Sequence, residues 1–329
     1  MKLHLDKENF LQAVKLTADR MGIATIYVEK DYWVTYALHI IFKNEIGNDT
    51  VFKGGTALSK CYNMIDRFSE DIDLVVLRRE GESNNKLTTK IKTISEVVTN
   101  VFPEIAISGL TQKMGMNRKT AHSYDKIFTG NYGQVRDVIV VEATWLGYFE
   151  PYSIRTIASF VGQMMLDNKQ EAIAKEYGLL PFELKVLDPT RTLCEKIMSL
   201  VRFSYSEAPL MNLKNKIRHT YDLHQLLQQQ EFLRFFNSPA FDEMLLKVGH
   251  DDVVSFRNNN KWLVHHPCNA LIFADLEYVW KELSPIYNNE FKNLVYGDFP
   301  TDSDILNTLQ MINARLGLID WNIKIESKA

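Results

Sequence analysis

Phe52-Lys53-Gly54-Gly55-Thr56-Ala57-Leu58-Ser59-Lys60, followed shortly by Arg67-Phe68-Ser69-Glu70-Asp71-Ile72-Asp73-Leu74, is the stretch on which the fold of this chain turns. Residues 50–53 read as a short strand, Gly54-Gly55 stops it, and residues 56–64 read as a helix. Residues 72–77 form a second apolar strand, entered through Asp71. Two glycines between a strand and a helix let the backbone approach a ligand closely and leave helix N–H groups for a phosphate. Asp71 and Asp73 stand two apart, so in an extended segment both carboxylates project from one face while Ile72 enters the core. Such a hard oxygen pair suits Mg²⁺ or Mn²⁺ together with substrate phosphates. Alone, an Asp-x-Asp is usually a solvated strand end and a Gly-Gly a plain turn. Their order, turn then helix then paired-acid strand, is what converges on one cleft at a sheet edge.

Outward from this stretch, residues 6–21 and 27–42 read as helices, the second richer in apolar and aromatic side chains and so more buried. Downstream, 86–102 reads as a helix closed by Pro103, and 104–110 and 135–146 as strands, with Val138-Ile139-Val140-Val141 the most strand-like run. From about Ser153 the pattern is mostly helical, over 154–166, 170–177, 189–203, 212–230 and 239–248, with one strand at 182–187. The expected fold is α+β, a small mixed sheet with flanking helices over residues 1–150, followed by a mainly helical half over 151–329. The boundary is expected near Gly147 to Tyr152.

Composition excludes several classes. At 329 residues, 46% hydrophobic and 24% charged, the chain can build about two packed domains. Only 15 Gly and 9 Pro exclude a low-complexity or collagen-like chain. Cys61, Cys194 and Cys268 are too few and too scattered for a disulfide framework or a Cys-type zinc site, so a reducing cytoplasm is the expected setting. Met1-Lys2-Leu3-His4-Leu5-Asp6-Lys7-Glu8 has charges where a secretory signal needs an apolar core. No run approaches the roughly 20 apolar residues of a membrane-spanning helix, so no membrane partner is expected. The formal charge of −3 is a sum over segregated patches. Residues 111–136 and 202–219 are basic, and 275–304 are acidic, so local binding of a nucleic acid stays open.

The Gly-Gly turn and Asp-x-Asp strand resemble motif I of the DNA polymerase β-type nucleotidyltransferase superfamily. A closer resemblance is to the AbiEii/AbiGii toxin family. It rests on Glu29-Lys30-Asp31-Tyr32-Trp33, the Lys53-Gly54-Gly55-Thr56-Ala57-Leu58 run, Arg67-x-Ser69-x-Asp71-Ile72-Asp73 and Pro189-x-Arg191-Thr192-Leu193-x-Glu195-Lys196, and spans about Glu29 to Leu227. The resemblance implies a mixed nucleotidyltransferase sheet and a helical half that completes the active site. It implies that Asp71 and Asp73 bind two Mg²⁺ (or Mn²⁺) ions, one activating an acceptor hydroxyl and the other stabilising the pyrophosphate that leaves an NTP substrate. Glu142, the one acid in an apolar strand, is the candidate third ligand, where many relatives carry Asp. Gly54, Gly55, Thr56, Lys60, Arg67 and Ser69 are the candidate nucleotide-binding residues.

Lys196 corresponds to the family's motif III lysine. On a helix over 189–203 it lies off the apolar stripe of Cys194, Ile197, Met198 and Val201, so it is expected to face solvent or a cleft, with the triphosphate as its partner. Asp222 inherits the motif IV acid from Arg218-His219-Thr220-Tyr221-Asp222, where the family's first acid is replaced by His219. An i,i+4 ion pair with Arg218 is its plainer reading. The family further implies a growth-inhibiting bacterial toxin, an RNA acceptor such as the tRNA 3′ end, and a cognate or DNA-binding antitoxin.

Other features are weaker. Glu29-Lys30-Asp31 matches the family but suggests no chemistry beyond helix packing. His265-His266 beside Cys268 lacks an acid at ligand spacing. A glycosyltransferase using a nucleotide sugar would place its acid pair after a longer nucleotide-binding domain. A non-catalytic NTP- or RNA-binding protein would not need Asp71, Asp73 and Lys196 together.

Overall fold

Helix α1 (Lys7–Met21) opens on Asp6, whose carboxylate accepts the Asn9 N–H, and stops at Gly22 in the left-handed conformation, φ 66°. In α2 (Thr25–Lys43) every residue from Ile26 to Thr35 is buried, so this helix is enclosed on all sides. The computed structural model describes residues 1–325; the last four residues of the expected second domain lie outside them. Strand β1 (Thr50–Lys53), helix α3 (Gly54–Tyr62) and strand β2 (Ile72–Val76) follow as the sequence predicts. Then come α4 (Asn84–Thr99), β3 (Glu104–Ile105), β4 (Gln112–Met114), β5 (Asn117–His122), β6 (Ile139–Thr144), β7 (Tyr152–Ile157), α5 (Phe160–Asp167), α6 (Glu171–Glu176) and β8 (Phe182–Leu187).

The strands form one mixed sheet in the order β3-β5-β6-β2-β1-β8-β7, with β4 paired to β5. The β1–β2, β5–β6 and β7–β8 pairs are antiparallel, and β2–β6 and β1–β8 are parallel. Helices α2 and α4 pack against β6, and α3 packs on β1, β2, β7 and β8. Phe52, Ile72, Leu74, Val141 and Ala143 are each at most 1% exposed, so the central strands are core.

Three expectations are corrected. The strand over 104–110 is only Glu104–Ile105 before the chain turns. The polar strand β5 was not foreseen. The helix expected over 154–166 is instead β7 followed by α5, which Ser159 starts by accepting the Gly162 N–H. Ile154 is 62% exposed on this edge strand. Ladder bonds to β8 hold it there, so its apolar spacing does not report burial.

The chain divides into two compact units. The first holds residues 1–63, 67–145 and 149–187, and therefore the whole sheet; the second holds 64–66, 146–148 and the chain from 188 onward. The second is mainly helical, with α7 (Pro189–Ser204), α8 (Pro209–Lys214), α9 (Ile217–Gln228), α10 (Gln230–Phe236) and α11 (Pro239–Ser255) followed by shorter helices. Its last helix, Asp302–Leu316, opens on a capping box between Thr301 and Asp304. No helix among the described residues is long and apolar enough to cross a membrane.

Candidate active site

The register of four neighbouring strands draws one line of charge across the sheet. Lys53 of β1 lies opposite Asp73 of β2, Asp73 opposite Glu142 of β6, and Glu142 opposite Lys119 of β5. Directly opposed residues share a face, so two acids stand side by side with a cation at either end. Two positions away on that face, Val51 and Val75 join Leu187 in an apolar cluster, and the charged row marks where the core stops.

The Gly-Gly turn abuts this row. Gly54 has φ 84°, and a Cβ there would fall inside contact distance of Asp73 Oδ2, so both backbone and space demand glycine. A Cβ on Gly55 would lie 2.6 Å from Arg67 Nη2 and 3.3 Å from Ser69 Oγ. The Thr56 and Ser69 hydroxyls are 2.9 Å apart. No side chain caps the start of α3, so its first turn presents the positive end of a helix to this corner. The structure thus brings Gly54, Gly55, Thr56, Arg67, Ser69, Asp73 and Glu142 together. Arg67 is buried and donates from Nη1 to the Phe68 carbonyl at 3.0 Å, which places it beneath the turn.

Electrostatics in the row are unbalanced. Burial pushes the Asp73 carboxyl up to about 7, and Glu142 and Asp71 push the same way against Lys53 and Lys119. Burial also disfavours charge on Glu142, but Lys119 at 2.7 Å and the Asn117 amide at 3.2 Å outweigh it and hold that carboxyl below its ordinary range. Lys119 in turn is raised, its own burial overcome chiefly by Glu142. Asp71 is partly exposed and receives Arg136 Nη1 at 3.2 Å.

Among the described residues, no three His, Cys, Asp or Glu side chains form a group able to hold a metal ion as placed. Asp71 is turned to Arg136 and Glu142 to Lys119. The donor chemistry nevertheless fits a divalent cation: hard carboxylate oxygens, with Asp73 destabilised as an anion by two neighbouring acids.

Other expected residues lie elsewhere. The Lys60 ammonium, expected at the nucleotide, is 2% exposed and paired with Asp31, and it also donates to the Ala158 carbonyl at 3.3 Å. This buried, paired cation ties α3 to α2. In the second unit, Lys196 is buried rather than solvent-facing. It is 6% exposed and donates to Asp222 Oδ2 at 2.6 Å, with His219 Nδ1 at 3.5 Å. Lys196 and Asp222 are therefore an ion pair. His266 Nδ1 lies 2.9 Å from Cys268 Sγ without forming a metal-ligating group.

Lys119, Asn117 and Arg136 were missed. All three come from the segment 117–136, where the basic run was visible but the register that aims Lys119 and Asn117 at Glu142 was not.

Comparisons with known proteins bear on the family and the fold. A family model described as AbiEii, nucleotidyl transferase toxin of type IV toxin–antitoxin systems, matches residues 38–299. No curated protein matches the chain. Among solved structures the chain is similar to MenT4, a nucleotidyltransferase toxin from Mycobacterium tuberculosis. The match has a TM-score of 0.50 and 18% identity, and covers 91% of this chain and 98% of that one.

Proposed function

Because the chain belongs to the AbiEii family of nucleotidyl transferase toxins of type IV toxin–antitoxin systems, we propose that its charged sheet row carries metal-dependent nucleotidyl transfer from an NTP to RNA. The observation that supports this reading is the lateral register Lys53–Asp73–Glu142–Lys119 with Gly54 packed on Asp73. It puts paired acids and the open end of a helix at one corner.

In this reading Asp71, Asp73 and Glu142 hold Mg²⁺ or Mn²⁺. A divalent cation bound there supplies charge neutralisation for the triphosphate and a lowered pKa for the acceptor hydroxyl. The chain's own residues do the positioning. The first turn of α3 at Gly54, Gly55 and Thr56 takes phosphate oxygens on backbone N–H groups, and the Thr56 and Ser69 hydroxyls extend that set. Lys119 orients Glu142 through its 2.7 Å bond. The family resemblance gives functional roles to Lys196 and Asp222 as well, which pair within the second unit.

The acceptor is proposed to be RNA, with the tRNA 3′ end as the leading candidate. The basic segment 111–136 supplies Lys119 and Arg136 to the acid row, which suits a phosphate backbone. A cognate antitoxin is the implied protein partner, and the bacterial cytoplasm the implied setting.

The test incubates the protein with Mg²⁺, each α-labelled NTP in turn and total tRNA. Label should enter RNA with the wild type and be lost in an Asp71→Ala/Asp73→Ala variant. Label that persists in that variant removes the metal-site assignment, and no transfer from any NTP removes the activity.

A further inference from the structure

Glu29, Lys30 and Asp31, three consecutive charges on α2, are at most 2% exposed. The first two reach the segment between β5 and β6. The Glu29 carboxylate accepts the Ile127 N–H at 2.7 Å and the Phe128 N–H at 3.1 Å. The Lys30 ammonium donates to the carbonyls of Arg136 and, at 2.7 Å, Val138. From the other side Glu70, itself 0% exposed, accepts the Arg136 N–H at 3.4 Å. Both peptide groups of one surface residue are thus gripped by buried charges of opposite sign. Burying charge is costly and is compensated only by close partners. The ion pairs it serves at the surface, Arg136 to Asp71 with side chains 44% and 35% exposed and Lys126 to Asp137 with 30% and 60%, add little to stability. The anchoring is out of proportion to those surface pairs.

We propose that Arg136 is a triphosphate-binding residue of this site, that Lys30 and Glu70 are positioning residues that hold its backbone, and that Glu29 holds the same segment farther back, at Ile127 and Phe128. The inference rests on the nucleotidyl-transfer reading. When Asp71 is engaged by a divalent cation, the guanidinium stands free beside the acid row. Its fork matches phosphate oxygens in a way a point charge does not.

The test is calorimetric titration of the full chain with magnesium tripolyphosphate, the part common to all NTPs. Arg136→Ala should weaken binding about tenfold, and Arg136→Lys should fall between it and the wild type. Lys30→Met should weaken it comparably. The Lys30→Met/Arg136→Ala pair should be no weaker than the worse single variant, because one residue acts through the other. Where Lys30→Met does not fold, Glu70→Gln, which keeps one acceptor oxygen beside the Arg136 N–H, takes its place in the cycle. Wild-type binding by Arg136→Ala overturns the assignment of Arg136, and additive losses overturn the positioning role. A wild type that binds no magnesium tripolyphosphate contradicts the nucleotidyl-transfer reading as well, which separates the two failures.

Discussion

Glu29, Lys30 and Asp31 on α2 are drawn from the same residue types as Lys53, Asp73, Glu142 and Lys119 on the sheet, yet the two sets are held in opposite ways. On α2 each charge meets complementary groups: two peptide N–H groups for Glu29, two carbonyls for Lys30, the Phe160 N–H and Lys60 for Asp31. Burial raises Glu29 and Asp31, and those bonds pull both back. In the row, acid stands beside acid, and Asp73 is raised by burial and again by Glu142 and Asp71. The α2 charges therefore belong to the architecture. The row keeps an electrostatic deficit that a cation or a phosphate-bearing ligand can use, as sites often do at a cost in stability.

Removing charge from the two sets should have effects of opposite sign on stability. Asp73→Asn is the largest expected effect on activity: nucleotidyl transfer should fall by about 10³-fold or more, roughly 4 kcal/mol of transition-state stabilisation. The same variant should melt higher than the wild type, by about 1 kcal/mol in stability, because it relieves the acid pair. Single-turnover labelling and a thermal melt check the two halves, and a lower melting point would break the contrast. Lys30→Met should cost about 3 kcal/mol in urea unfolding, since it strips the cation from two carbonyls.

How far these sites could be read from sequence differs between them. Gly54-Gly55 and Asp71-x-Asp73 are local, and strand, turn and pairing face follow from adjacent residues, so that corner was legible. Glu142 was legible as the lone acid in an apolar strand. Lys119 was not, because its aim depends on pairing β5 with β6 across a loop whose length sets no register. Lys60 was misjudged for the converse reason. It sits on the right helix, but its partner Asp31 is far off in sequence. Lys196 was expected to face outward from the stripe of its own helix, and it is buried because α9 brings Asp222 to it. The strand β7 was read as helix because an exposed edge strand carries no alternation of burial.

Two smaller effects sharpen the contrast. Gly54→Ala should lower transfer about a hundredfold, near 3 kcal/mol, because a Cβ there must move Asp73 and strain a positive φ. Initial rates against NTP concentration check it. Arg79→Ala removes an ion pair to Asp49 from a side chain 68% exposed, and it should change unfolding stability by less than about 0.5 kcal/mol.

The most direct measurement is calorimetric titration of Mn²⁺, in the presence of NTP, into the wild type, Asp73→Asn and Arg79→Ala. The charged row as cation site predicts binding by the wild type and Arg79→Ala and its loss in Asp73→Asn. Undiminished Mn²⁺ binding by folded Asp73→Asn would contradict it.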